Sequence, residues 1–107
     1  MKLWERLKGQ EFKDVIENSK KHFGHFVVVF VSDKIQGKVG FIASKKVGNA
    51  VERNRAKRLM RESFLKIEDK LLKDRSYVIV AKKSIATVKM QDVLIDLSGI
   101  LRKECKE

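Results

Sequence analysis

The segment Gly40–Glu62, GFIASKKVGNAVERNRAKRLMRE, decides how the rest of this 107-residue chain is interpreted. It passes from an apolar strand, through a lysine pair and a Gly-Asn turn, into a helix rich in arginine. Between Lys45 and Lys66 there are eight Lys or Arg residues and two Glu residues, a net +6 out of the formal +11 of the chain. The rest of the sequence is predicted to be a small scaffold that presents this segment.

The turn before the helix contains residues that favour a helix start. Gly48 tolerates the positive φ that a strand-to-helix turn often needs, and Asn49 is a favoured N-cap residue. Glu52 stands three residues after Asn49, which is the spacing of a capping box. We therefore predict a helix that begins after Asn49 and ends between Lys66 and Lys73.

This helix is predicted to have one apolar and one basic face. At about 100° per residue its apolar side chains share one arc, which suits packing on a sheet. They are Ala56, Leu59, Met60, Phe64, Ile67 and Leu71. The cations on the other side have only two acids nearby, and like charges four residues apart repel each other. The arginine guanidinium forms bidentate hydrogen bonds to phosphate oxygens. The excess of positive charge on this helix therefore predicts a nucleic-acid surface rather than an ordinary solvated face.

The run Ser44–Glu62 also resembles the signature of the bacterial ribonuclease P protein subunit. The shared features are a Lys-Lys pair, a Gly-Asn-Ala turn, then Arg-Asn-Arg and Lys-Arg followed by a further arginine. The resemblance extends over nearly the whole chain. It implies a protein that binds the ribonuclease P RNA and precursor tRNA and assists the Mg²⁺-dependent removal of the 5′ leader. It further implies that the RNA subunit, with its bound Mg²⁺, carries out the hydrolysis.

Two groups of binding residues follow from the basic helix and the resemblance. The group expected to bind the catalytic RNA is Lys45, Lys46, Asn49, Arg53, Asn54, Arg55, Lys57, Arg58 and Arg61. The group expected to line a leader cleft between the first helix and the sheet is Phe12, Ile16, Val29, Phe41 and Lys82. Phe12 matches the family pattern, whereas Ile16 stands where the family often has an aromatic residue. Core packing is the alternative for Phe12 and Ile16, and simple solvation is the alternative for Lys82.

Length and composition predict a single domain, residues 1–107, with a modest core. Hydrophobic residues make up 43% of the chain, which argues for a folded domain rather than a basic tail. A single cysteine, Cys105, allows no internal disulfide, and no membrane-spanning run or signal peptide is apparent. The net charge favours a polyanionic partner. We expect a cytoplasmic protein with no membrane or small-molecule partner.

The remaining segments predict an α+β fold built on a small central sheet with three helices. The first two predicted strands are joined by a short loop, which indicates an antiparallel hairpin. The predicted elements are a helix over Gln10–Lys20, closed by His22–Gly24, strands over His25–Ser32, Lys38–Ser44 and Ser76–Ala81, and a last helix from Val88 to about Lys103 capped by Thr87. With the basic helix, the order is α-β-β-α-β-α, a two-layer sandwich. The strand–helix–strand unit would by default be right-handed, whereas the resemblance implies a left-handed crossover.

The sequence predicts no catalytic or metal-binding side chains on the protein. His22 and His25 flank a glycine before a strand, no Cys/His set has zinc spacing, and no Walker-type glycine loop is present. Acidic residues such as Asp92 and Asp96 are interpreted as solvated helix positions. Two alternatives stay open: a general RNA-binding module without a role in cleavage, and a protein-only nuclease, for which the clustered carboxylates of two-metal sites are missing.

Overall fold

The chain folds into a five-stranded mixed sheet with helices on both faces. The computed structural model describes residues 4–104, except for the side chains of residues 103 and 104, so Cys105 lies outside the described residues. The strands are β1 Glu5–Arg6, β2 Lys20–Phe23, β3 Val27–Ser32, β4 Lys38–Ile42 and β5 Ser76–Ala81. The α-helices are α1 Gly9–Glu17, α2 Ala50–Ile67 and α3 Met90–Ile100, and short 3-10 turns span Glu68–Lys70, Lys83–Thr87 and Leu101–Glu104. The predicted α+β class is confirmed.

Strand β5 lies at the centre of the sheet, whose order is β1-β4-β5-β3-β2. It pairs antiparallel with β3 and parallel with β4, and α2 provides the crossover that a parallel pair requires. The predicted hairpin between β3 and β4 is therefore wrong. The apolar strand β5 is almost wholly buried, so its backbone polar groups need a partner strand on each side. Strand β5 therefore lies between β3 and β4 and keeps them apart. The hand of the crossover stays a prediction.

The two edge strands, β1 and β2, were missing from the predicted order. Strand β2 occupies the segment expected to end the first helix. Helix α1 ends earlier, at Glu17, because the side chains of Asn18 and Ser19 donate to carbonyls of the preceding turn at 2.9 and 2.8 Å. Charged β2 residues are typical of an edge strand, which pairs on one side only. Beside β1, Trp4 and Leu7 are buried, and Trp4 Nε1 donates to the Glu68 carbonyl at 3.0 Å.

Helix α2 starts as predicted. The Glu52 backbone N–H donates to Asn49 Oδ1 at 2.9 Å, and the Asn49 N–H donates to Glu52 Oε1 at 3.0 Å. The helix then passes into the 3-10 turn within the predicted range. The predicted apolar arc is fully confirmed, with exposures of 8% or less for Ala56, Leu59, Met60, Phe64, Ile67 and Leu71.

The start of α3 differs from the prediction. A 3-10 turn occupies the segment through Thr87, so Thr87 is not the N-cap and the helix begins at Met90. The N-cap residue is Lys89, whose backbone N–H donates to Asp92 Oδ2 at 3.0 Å. Close packing does not require Gly99 within α3, because an added Cβ there would meet nothing within 4 Å.

Asp96 in α3 is not the solvated residue that was predicted. The residue is only 8% exposed, and its carboxylate accepts the backbone N–H groups of His25 at 2.9 Å and Phe26 at 2.8 Å. These amides immediately precede β3. Asp96 therefore ties α3 to the start of β3.

The alternation of strand side chains divides the core between the two faces of the sheet. The larger cluster lies between the sheet and helices α2 and α3 and includes Val29, Phe64 and Ile79. The smaller cluster, built on Leu7, Val15 and Val78, lies beneath α1. The basic helix and α1 are thus on opposite faces, which separates the two candidate binding surfaces.

Candidate nucleic-acid interface

The basic side of α2 forms a groove with the neighbouring edge of the sheet. Four α2 side chains line it, together with one residue of β1 and one of β4, around a volume of about 330 Å³. We call this the basic groove, with lining residues Arg6, Phe41, Asn54, Lys57, Arg58 and Arg61. The helical residues reach it because positions three and four apart share a face.

Within the described residues, the cations of the basic groove have no acidic partner. Between residues 4 and 104 the ion pairs shown are Lys13–Glu17, Lys38–Glu11 and Arg75–Asp74, and none involves a cation of the groove. Among the described residues, the groove itself is lined by four cations and by no carboxylate. Such a site attracts phosphate groups, with arginine forks, an asparagine amide and an aromatic ring available for contact.

Four other predicted RNA-binding residues lie near the start of α2. Lys45 and Lys46 are exposed in the turn before the helix, where a cationic pair is accessible to an RNA backbone. Arg53 is half-buried one turn into α2. The Asn49 side-chain oxygen is already engaged as the N-cap acceptor, so Asn49 has a structural role in this fold.

The structure gives Arg55 a different role from the predicted RNA contact. Its guanidinium donates to the carbonyl of Ala86 at 3.3 Å and to that of Val88 at 2.5 Å. These carbonyls belong to the segment that leads into α3. Because an extended arginine side chain can satisfy carbonyls that no helix or strand uses, Arg55 fastens α2 to this segment rather than pointing into the basic groove.

The sheet face under α1 carries a second candidate surface. Cross-strand pairing places four apolar side chains in one line across β2, β3, β5 and β4, and we call this line the open row: Phe23, Val28, Val80 and Ile42. None of the four is buried. The neighbouring line, which includes Val78, is covered by α1. The Phe12 ring lies directly on Gly40, where an added Cβ would clash with it.

The structure places the residues predicted to line the leader cleft on two different faces of the sheet, and their binding of a leader stays a prediction. Phe12 and Ile16 are half-buried on the α1 face, beside the open row. Val29 and Phe41 do not line a cleft beneath α1. The alternation of side chains along β3 and β4 points both residues to the opposite face of the sheet. Val29 is fully buried there, and the Phe41 ring lies 5.9 Å from that of Phe64 and lines the basic groove.

Lys82 lies at the far end of β5 and is exposed. Its Nζ donates to the carbonyl of Gly24 at 3.1 Å, which holds the side chain against the loop before β3. The ammonium group keeps further donors for a ligand.

Sequence reasoning missed residues that only the strand register could supply. Arg6 joins the basic groove because β1 pairs beside β4, and a two-residue strand has no recognisable pattern. The open row was missed because the run HFVVVFVS is apolar at nearly every position, so it carries no alternating signal. Phe30 faces α1, and residues two apart on a strand share a face. Alternation along β3 from Phe30 therefore places Val28 on the α1 face as well.

No catalytic cluster is seen in the part of the chain that the structure describes. Between residues 4 and 104 no group of three or more His, Cys, Asp or Glu side chains could hold a metal ion. No helix over that range is long and apolar enough to cross a membrane.

The Lys38 ammonium, 2.5 Å from Glu11, holds the pKa of that carboxyl below its ordinary value, with help from a backbone N–H of Lys8. This pair fastens α1 to β4 and is structural.

Comparison with known proteins identifies the family. A family model described as Ribonuclease P matches residues 1–104. The ribonuclease P protein component of Syntrophus aciditrophicus is 35% identical over 107 residues, covering 97% of this chain and 90% of the relative. That of Bacillus cereus is 33% identical over 99 residues, covering 90% and 86%.

Solved structures share the fold. The RNase P protein from Thermotoga maritima has a TM-score of 0.80 at 24% identity, covering 92% of this chain and 96% of the other. The Staphylococcus aureus RNase P protein has a TM-score of 0.79 at 24% identity, covering 92% and 93%. With the match of the family model over nearly the whole length, this chain belongs to the ribonuclease P protein component family.

Proposed function

We propose that this chain is the protein subunit of ribonuclease P, which binds the catalytic RNA and the 5′ leader of precursor tRNA. In this role it assists Mg²⁺-dependent endonucleolytic removal of the leader, which leaves the mature 5′ end of the tRNA. The observation that carries the proposal is the basic groove, whose lining in the described part of the chain contains four cations and no carboxylate, in a chain of this family.

The basic groove supports binding to the RNA subunit. Arg58, Arg61 and Lys57 stand on one rigid helix, and Arg6 approaches them from the sheet edge. A preformed array of this kind neutralises several phosphates without reordering the chain, so it positions the RNA backbone and does not read its sequence. Lys45 and Lys46 extend the positive charge past the start of α2.

The open row supports binding to the leader. Single-stranded RNA binds to surfaces that combine apolar or aromatic side chains with nearby cations, since every base has a face that can stack. Phe12 and Ile16 form one wall beside the row, and Val80 and Ile42 form part of its floor. Such a surface tolerates any base, as a subunit that processes many precursor tRNAs requires.

The protein's described side chains do not fit a site for the catalytic metal. Between residues 4 and 104, no carboxylate cluster accompanies the basic groove or the open row. In our proposal the Mg²⁺ ions that hydrolysis needs are held by the RNA subunit and the substrate. The protein lowers the concentration of Mg²⁺ required, because its cations neutralise phosphates that would otherwise need metal ions.

The two surfaces can be tested separately by equilibrium binding. Combined replacement of Arg58 and Arg61 by alanine should weaken binding to the RNA subunit and reduce its salt dependence by about 0.7–0.9 in slope for each phosphate that is no longer neutralised. Phe12→Ala should instead reduce only the gain in precursor affinity that the leader provides, by about five-fold or more. Equal effects of both variants on both ligands would contradict the assignment of two surfaces.

The alternative is a general RNA-binding module that uses the same basic groove. Such a protein would bind unrelated structured RNAs with similar affinity and similar salt slopes, and it would not discriminate precursor from mature tRNA. Competition between ribonuclease P RNA and an unrelated folded RNA of equal length separates the two functions.

A further inference from the structure

Phe23 is an exposed aromatic residue on an edge strand. It belongs to β2, is 69% exposed and stands at the outer end of the open row. A large apolar side chain on a free strand edge is a liability for aggregation, and Phe23, unlike a singly exposed residue, continues the apolar line of Val28 and Val80. Neither the basic groove nor the packing of α1 uses this residue.

A lysine is held beside Phe23 over two aromatic rings. The Lys21 Nζ lies 5.1 Å from the centroid of the Phe23 ring and 5.3 Å from that of Phe30. Both distances are within the range of a cation–π interaction. The ammonium group is therefore kept on the α1 face of the sheet, between the exposed ring and the part of the face that α1 covers.

A depression continues from this point around the edge of the sheet. Its volume is about 360 Å³, and its lining includes Phe23, Lys21, Ile100 and Arg102. Among the side chains that the structure describes, apolar surface and two cations thus meet at one place, and none of the lining residues is acidic. Stacking surface with adjacent positive charge is the composition of a binding site for single-stranded nucleic acid.

From these contacts we propose that Phe23 and Lys21 form a distal nucleotide subsite, in which a leader base stacks on Phe23 and the adjoining phosphate is bound by Lys21. The proposal rests on the proposed function, since it extends the leader path along the open row. Three inter-strand spacings separate Ile42 from Phe23, about 14 Å. The subsite is therefore reached only by a leader long enough to cross the whole sheet, and Arg102 is placed to bind the next phosphate.

The test is leader affinity measured over a series of leader lengths. Phe23→Ala should reduce the affinity for a long-leader precursor by about five-fold or more. It should leave the affinity for a short-leader precursor unchanged. The affinities of the wild type and of Phe23→Ala should therefore agree up to one leader length and differ beyond it. Phe23→Trp should retain affinity, and its fluorescence should be quenched when the long leader binds. Ile95→Ala is the matched control, because Ile95 is 64% exposed on α3 and away from the row.

A second variant tests the charge. Lys21→Gln should reduce the salt slope of long-leader binding by about 0.7, the value for one neutralised phosphate on a single strand. The same change should have no effect on the slope measured with a short leader.

The outcomes separate this proposal from the one on which it rests. If the wild-type protein gains no affinity from any leader, the proposed leader function itself fails. If the leader adds affinity and Phe12→Ala removes it, but Phe23→Ala matches Ile95→Ala at every length, the distal subsite is wrong and the leader function stands. If Phe23→Ala changes only the association of the protein with a second copy, Phe23 serves self-association and the proposal is likewise overturned.

Discussion

Arg55 and Arg58 lie three residues apart on α2, and the structure assigns them different roles. Arg55 donates to the carbonyls of Ala86 and Val88 at 3.3 and 2.5 Å, whereas Arg58 lines the basic groove, where the structure describes no carboxylate among residues 4–102. We predict that Arg55→Ala lowers the stability of the fold and that Arg58→Ala lowers the affinity for RNA. The sequence alone, with both residues in a run of cations, provides no reason to separate them.

The magnitudes follow from the hydrogen bonds and the exposure of each side chain. Hydrogen bonds that involve a charged group contribute about 1.5–3 kcal/mol, so Arg55→Ala should reduce the free energy of unfolding by about that amount. In a domain of this size each kcal/mol lowers Tm by about 4–8 °C. Arg58→Ala should change stability by no more than about 0.5 kcal/mol, as is usual for exposed positions. It should reduce the salt slope of RNA binding by about 0.7–0.9.

The assay is a pair of measurements on both variants. Urea denaturation followed by circular dichroism measures the stability, and titration of labelled ribonuclease P RNA at several salt concentrations measures the slope. At temperatures well below its Tm, the Arg55→Ala protein should bind with the salt slope of the wild type. An Arg55→Ala protein of unchanged stability and reduced salt slope would refute the assignment of this guanidinium to the α3 segment.

Three further predictions concern the scaffold. Gly40→Ala should displace the Phe12 ring, which leaves no room for a Cβ, and should reduce leader affinity while binding to the RNA subunit persists; an unchanged leader affinity would contradict this. Asp96→Ala should lower the free energy of unfolding in urea by about 2–5 kcal/mol, because two backbone N–H groups lose a buried acceptor, and a loss below about 1 kcal/mol would argue against that role. Glu11, whose pKa the Lys38 ammonium lowers from 4.5, stabilises the fold above that pH, and this contribution is lost as pH falls through the folded-state pKa. In thermal melts, Glu11→Gln should be less stable than the wild type at neutral pH, and this difference should disappear in acid. A difference that stays constant with pH would show that ionisation of Glu11 does not stabilise the fold.

The features predicted correctly from the sequence are those fixed by local interactions. The capping box of Asn49 and Glu52 and the apolar arc of α2 depend on residues within one or two helical turns. The same holds for the end of α2 near Lys66. Such patterns are visible in the sequence because the interacting groups are neighbours along the chain.

The features predicted wrongly depend on contacts between distant segments. Strand β5 inserts between β3 and β4 because a buried strand needs partners on both sides, and no local signal reports this. The faces of Val29 and Phe41 could not be assigned because their strands are apolar on both sides. Arg55 and Asp96 are charged helix residues, which the sequence predicts to be exposed to solvent. Both instead form hydrogen bonds with backbone groups of another segment, and the sequence does not show which segment comes that close.

The positions of the residues assigned to the two candidate surfaces agree with the structure only in part, and their binding roles stay predictions. Excess positive charge on α2 and an apolar surface beside α1 are properties of composition and spacing, and both are found. Arg6 and Phe23 were missed because each joins its surface through an edge strand whose polar residues produce a weak pattern.

The central claim is that this protein enables an RNA enzyme to remove the 5′ leader, and reconstitution tests it most directly. Cleavage of a leader-bearing precursor tRNA would be measured at low Mg²⁺ with the protein alone, with a bacterial ribonuclease P RNA alone, and with both together. The account predicts cleavage at the mature 5′ end only when both are present, and its loss when Arg58 and Arg61 are replaced by alanine. Cleavage by the protein alone, or binding without any gain in cleavage, would contradict it.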